Sequence, residues 1–182
     1  MGGASYLIEV PNRWNGTLFL YSHGYVPPGQ PNPAVAAPSP EASSWLLGHG
    51  YAIAGSSYSS TGWSVEDAFK DQLALLDYFT RRVGKAKRTI AWGQSMGGAI
   101  SAGMVQLYPD RFVAAVPMCG GVAGGVAVWN QALDGAYVIK TLMAPQVPLR
   151  SSTSLTPMSI WTPRGGCSAR RSARRPAEPA WR

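Results

Sequence analysis

In this 182-residue chain, Gly93-Gln94-Ser95-Met96-Gly97 sets a serine between two glycines, a spacing suited to nucleophilic chemistry. A serine hydroxyl attacks poorly at neutral pH until a base takes its proton, and it must stand clear of its surroundings to reach a carbonyl. A sharp turn from strand to helix achieves that exposure, provided the residues two positions to either side lack bulky side chains. Gly93 and Gly97 meet that requirement. With 21 glycines in the chain the pentapeptide alone is weak, so its flanks decide. Residues 89–92 form an apolar β-type run, and residues 96–108 read as a helix stopped by Pro109. That helix is rich in small residues (Gly97, Gly98, Ala99, Ser101, Ala102, Gly103), which allows close packing on a sheet. Its first turn sets unpaired N–H groups and the positive dipole end beside Ser95, so Met96 N–H is the expected donor to a developing oxyanion. The chemistry implied is acyl transfer with Ser95 as nucleophile. An incidental turn serine would not account for strand and helix together.

The elements that must hold this turn follow from hydrophobic pattern and turn residues. Residues 5–10 and 17–21 are β-type runs joined by the turn sequence PNRWNG. Residues 26–38 carry Pro27, Pro28, Gly29, Pro31, Pro33 and Pro38 and are expected to be an exposed loop. Ser39 and Pro40 suit the N-cap and first position of a short helix through Trp45, Leu46 and Leu47, ending at Gly48. YAIAGS, residues 51–56, has the unbroken apolar character of a central parallel strand. Ser64, with Asp67 three residues on, is expected to cap a helix whose Val65, Phe69, Leu73, Leu76, Phe79 and Val83 make one buried stripe. Its other face carries the i,i+4 pairs Glu66/Lys70 and Asp77/Arg81, a solvated surface. Residues 112–116 read as a further strand and 124–143 as a helix weakened by Gly135. There is no internal repeat. Alternating strands and helices imply a parallel sheet with right-handed crossovers. A second oxyanion donor should come from the loop after an earlier strand, where Tyr21-Ser22-His23-Gly24-Tyr25 stands, and the N–H of Tyr25 is the candidate.

Through the YSHGY loop, the GYAIAGSSYSSTGW strand and loop, and the IAWGQSMGG turn, residues 5–145 resemble the α/β-hydrolase superfamily. The GYAIAGSSY stretch is also similar to the tannase and feruloyl-esterase branch or the prolyl-oligopeptidase-like branch. The resemblance implies an α/β fold of three layers around a mostly parallel sheet, here incomplete at the C-terminal end. It implies that His23 and Gly24 support the oxyanion loop rather than act as a base. It also implies a triad in the order Ser, acid, His, and no cofactor or metal. After Ser95 the acids are Asp110, Asp134 and Glu178, and no histidine follows. Asp134 falls too early for the acid of such a triad. His49, between two glycines at a helix end, reads as a cap. Trp45, Trp63, Trp92 and Trp129 read as core or loop anchors rather than a substrate platform.

Bulk properties narrow the alternatives. The length suits one domain, residues 1–150, followed by an irregular basic tail, residues 151–182; hydrolases of this kind usually have more chain. The net charge of +7 belongs mostly to that tail: residues 150–182 hold seven arginines against one glutamate. The body is near neutral, so no specific nucleic-acid partner is expected, although an arginine-rich arm could bind phosphates. The tail composition, PRGGCSARRSARRPAEPAWR, also fits translation in a shifted reading frame, which would remove the acid and the His. Cys119 and Cys167 form no metal or disulfide pattern, and Cys119 reads as a small core residue. No membrane span and no signal peptide are seen, giving a cytoplasmic expectation unless the true start lies upstream. Two readings result: a serine hydrolase acting on a small ester, or less readily a peptide, and a non-catalytic remnant or binding module of the same fold.

Overall fold

The computed structural model describes residues 3–146. Residue contacts divide the chain into two units, 1–131 and 132–182. The described part of the second unit comprises the later turns of one helix and the residues that follow it. The boundary expected near residue 150 lies outside the described residues, as do Cys167, Glu178 and the basic tail.

Among the described residues, five strands and four α-helices follow one another as β1 (Tyr6–Glu9), β2 (Thr17–Ser22), α1 (Pro40–Gly48), β3 (Ala52–Ser56), α2 (Val65–Arg82), β4 (Arg88–Gln94), α3 (Met96–Leu107), β5 (Ala114–Met118) and α4 (Gly125–Met143). A single 3₁₀ turn, Pro109–Arg111, separates α3 from β5. The strands form one sheet in the order β1-β3-β2-β4-β5. Only β1 is antiparallel, pairing Tyr6 with Ser56 and Glu9 with Ile53. β2 lies parallel between β3 and β4, with Leu20 opposite both Ala54 and Ala91. The carboxyl ends of β2, β3, β4 and β5 therefore share one edge of the sheet. The two N-terminal strands are joined by a turn, as the sequence predicts, but they do not pair with each other.

Side-chain alternation along β2 builds two cores. Leu18 and Leu20 point into a cluster with Ala68, Leu75, Phe79, Ile100 and Met104 from α2 and α3. Phe19 and Tyr21 face the other way, against Trp92 and the α1 residue Leu46. Phe19 and Tyr21 pack edge-on to Trp92, with ring centroids 5.7 and 5.1 Å apart. Helices thus cover both faces, giving the three-layer α/β arrangement that the sequence implies. The cap of α1 is as expected: Ser39 is extended and its side chain accepts from Ala42 N at 3.3 Å, with Pro40 at the first position.

Several local expectations are corrected. The buried side of α2 is Ala68, Asp71, Gln72, Leu75, Leu76 and Phe79, whereas Val65, Phe69 and Leu73 are half-buried and Val83 is exposed. The stripe is rotated because Gln72 and Asp71 find polar partners on other elements. Ser64 makes no side-chain cap bond, and Asp67 instead accepts from Ser60 Oγ. Glu66 and Lys70 pair at 2.7 Å as expected, but Asp77 pairs with Arg111 rather than Arg81. Strand β5 begins at Ala114, two residues later than the pattern suggests. The proline-rich loop is only partly exposed: Ala36 is buried, and Val35 O packs so closely on Gly55 that a side chain there would collide with it. Cys119 is exposed, not a core residue.

Candidate active site

The strand-to-helix turn has the geometry its glycines require. Ser95 sits at φ 58°, ψ −123°, between the end of β4 and the start of α3. Such a conformation costs a non-glycine residue of order 1–3 kcal/mol and persists only where the surroundings enforce it. Ser95 N–H donates to Met118 O at 2.9 Å, tying the turn to the end of β5. A Cβ on Gly93 would strike Gly97 O and Ser22 O, and one on Gly97 would strike Ser22 O and His23 O. The two glycines are thus fixed by backbone contact with the end of β2. Gly98 and Gly120 approach equally closely: a Cβ on Gly98 would lie 2.8 Å from Gly120 Cα.

Helical hydrogen bonding begins with Gly98 N–H and Ala99 N–H, which both reach Ser95 O. The N–H groups of Met96 and Gly97 precede that ladder, where a helix offers no acceptor of its own. The loop after β2 lies against the same turn. A Cβ on Gly24 would sit 3.4 Å from Ser95 Cβ and 4.0 Å from its Oγ. The sequence therefore brings Ser95, Met96, Gly93, Gly97, His23 and Gly24 together, with Tyr25 next along the loop and exposed.

The His23 imidazole is buried and turned into a framework. Its Nδ1 lies 2.7 Å from Gly24 O and its Nε2 3.2 Å from Ser57 O. Ser57 O also accepts from Asn32 Nδ2, which draws the proline-rich loop beneath the site. The ring stacks on Tyr58, with centroids 4.0 Å apart and planes at 24°. Tyr58 is itself in the left-handed region, at φ 61°, and is only 2% exposed. Its hydroxyl donates to His23 O at 3.2 Å. Burial pushes that hydroxyl well above the usual phenol range, against the smaller opposing pull of the Ser22 side chain and the His23 backbone. From α2, fully buried Gln72 donates to Tyr21 O at 2.6 Å and to Ser22 Oγ at 2.9 Å. Asp71 accepts from Ser59 N–H at 2.6 Å. Tyr58, Gln72 and Asp71 escape a sequence reading because their partners lie 12 to 51 residues away.

Among the described residues, three that are not glycine have positive φ, namely Tyr58, Ser95 and Cys119. They follow the carboxyl ends of β3, β4 and β5, so the strain is gathered on one edge of the sheet. Strain of this kind concentrates at functional sites. His49 caps α1, its Nδ1 2.7 Å from Trp45 O, and precedes β3, which puts it at the opposite edge. Asp110 also stands at that opposite edge, in the turn before β5, and lines an open groove of about 330 Å³ with Lys85, Lys87 and Arg111. Asp134 lies on exposed α4. Of the tryptophans, Trp92 is a core residue, but Trp45, Trp63 and Trp129 are exposed, contrary to a core role. Among the described residues no cluster of His, Cys, Asp and Glu could hold a metal ion.

Comparisons with known proteins bear on this geometry. The o-phthalyl amidase of Xanthobacter agilis is 29% identical over 150 residues, which is 78% of this chain and 30% of that protein. The chain thus spans less than a third of that relative. Among solved structures, a proline iminopeptidase from Mycobacterium smegmatis aligns with TM-score 0.53 and 14% identity, over 80% of this chain and 46% of the other. Est1E from Butyrivibrio proteoclasticus, solved with ferulic acid bound, aligns with TM-score 0.50 and 13% identity, over 83% and 61%. At such identities these two speak for the fold alone. The profile of the alpha/beta hydrolase fold matches residues 46–164, from the end of α1 past the Ser95 turn, and with more than half its length so matched the chain belongs to that family.

Proposed function

We propose that this chain carries the nucleophile and oxyanion half of a serine hydrolase acting by acyl transfer on a small ester or amide. The observation that carries this reading is Ser95 at φ 58° between β4 and α3, with Gly24 against its Cβ. In the step proposed, Ser95 Oγ forms a bond to the carbonyl carbon and its proton passes to a base. The carbonyl oxygen gathers negative charge between the N–H groups of Met96 and Tyr25, at the positive end of α3. Collapse of that intermediate expels the alcohol or amine, which takes a proton, and water later cleaves the acyl-serine. His23 and Gly24 shape the loop that carries Tyr25. The amide option draws support from the name of the Xanthobacter agilis relative, and the ester option from the likeness of the GYAIAGSSY stretch to the tannase and feruloyl-esterase branch.

A second reading is favoured by one observation: the chain's two histidines both precede Ser95, one locked on carbonyls and one at the opposite edge of the sheet. On that reading the fold binds a ligand without turning it over. A fluorophosphonate probe separates the two. Covalent labelling of the wild-type chain that is lost in Ser95→Ala supports acyl transfer. A folded chain that resists labelling supports the binding module.

A further inference from the structure

Trp63 and Trp129 stand 66 positions apart in sequence, yet their ring centroids are 6.0 Å apart with planes at 56°. Both are exposed, by 47% and 62%, so their contact does not serve to fill a core. Isolated surface aromatics are unremarkable, but two brought together and left open to solvent call for a reason.

Topology supplies it. Trp63 follows β3 and Trp129 follows β5, and in the sheet order β1-β3-β2-β4-β5 these strands are separated by β2 and β4. Three strand spacings amount to about 14 Å. For the two rings to meet, the segments bearing them must reach toward each other past the carboxyl ends of β2 and β4, which carry the His23-Gly24 loop and Ser95.

Each ring is also tied to one half of the site. Gly62, beside Trp63, bridges to Val26, and its N–H donates to Val26 O at 2.8 Å, one residue beyond Tyr25. Val128, beside Trp129, packs on Gly121, where an added Cβ would lie 2.5 Å from Val128 Cγ2. The neighbouring Gly120 touches the first turn of α3. A closed circuit therefore runs from the oxyanion loop through Trp63 and Trp129 back to the turn that holds Ser95.

Resting on the acyl-transfer reading of Ser95, we propose that Trp63 and Trp129 form an aromatic corner that receives an uncharged aromatic ring of the substrate. The tilt decides how. A ring sandwiched between parallel planes would need about 7 Å, twice the 3.5–4.0 Å contact distance. At 6.0 Å and 56° the two indoles stand at an angle to each other, and the proposed third ring stacks on the open face of one and meets the other edge-on. Quadrupole interactions favour both contacts over those with a saturated ring of like size.

The test uses the full chain carrying Ser95→Ala, so that binding is read without chemistry, and two matched esters, methyl benzoate and methyl cyclohexanecarboxylate. Binding is followed by the indole N–H resonances, assigned with Trp63→Phe and Trp129→Phe. Methyl benzoate is expected to shift both indole signals and to bind about 3–10-fold more tightly than the saturated ester, the ratio that aromatic pairing supplies. Trp63→Ala and Trp129→Ala should each remove that preference, and since both side chains are exposed, neither should unfold the chain. Equal affinity for the two esters, or a preference that survives both alanine variants, overturns the aromatic corner. Ring preference without probe labelling of wild-type Ser95 sinks the acyl-transfer reading alone. Labelling without ring preference sinks the corner alone.

Discussion

At the residue scale, the site depends on atoms that leave no space and on one hydroxyl that leaves no slack. Gly97→Ala would drive a methyl group into Ser22 O and His23 O, which are backbone atoms of a central strand end and cannot swing aside. The variant is expected to lose about 1–3 kcal/mol or more of stability, read as a lower denaturant midpoint at unchanged slope. Tyr58→Phe is gentler. It keeps the ring on His23 and removes the hydroxyl bond to His23 O, a loss of about 1 kcal/mol. Because that bond sets the loop bearing Tyr25, the variant should also slow any labelling of Ser95, by up to the roughly 10²-fold that a small misplacement costs. Labelling at the wild-type rate would show that the loop holds itself. The hydroxyl also carries a pH signature. Burial raises its pKa in the folded chain, so the stabilisation is complete below the ordinary phenol value of about 10 and is lost as pH rises above it. Melting temperature plotted against pH should therefore fall less steeply above that point in Tyr58→Phe than in the wild type.

At the scale of elements, what could be read from sequence was what neighbours along the chain decide. The Ser95 turn was legible because glycine spacing, an apolar run and a small-residue helix lie within twenty residues of one another. The cap at Ser39-Pro40 was legible for the same reason. The register of α2 was not, since the pattern of Val65, Phe69 and Leu73 competes with polar positions whose value is set elsewhere. Gln72 is buried because Tyr21 O and Ser22 Oγ await it, and Asp71 because Ser59 N–H does. The exposure of Cys119 follows from its left-handed backbone just past β5, which no residue type near it announces except the glycines that follow. The meeting of Trp63 with Trp129 is a product of strand order and has no local signal at all. Gln72→Leu should accordingly destabilise by about 1–3 kcal/mol despite being apolar and similar in size, because Tyr21 O and Ser22 Oγ both lose their amide donor. A stability equal to wild type would mean those groups find other partners.

At the scale of the whole molecule, the described sheet is paired on only one side of β5, and Val116 on that strand and Val113 just before it stand exposed. Open apolar strand edges favour association between chains. A Val113→Lys, Val116→Lys double variant is expected to lower light scattering at fixed protein concentration without shifting the melting temperature by more than a few degrees. Unchanged scattering would place any association elsewhere. Among the described residues no helix is long and apolar enough to cross a membrane.

The central claim is that Ser95 is a nucleophile that takes an acyl group. Intact-mass and peptide analysis after brief incubation with an activated acetyl ester tests it most directly. The claim predicts an acetyl adduct on the peptide containing Ser95, absent from Ser95→Ala and sensitive to Tyr58→Phe. An adduct at another residue, or ester cleavage that persists at the same rate in Ser95→Ala, would contradict it.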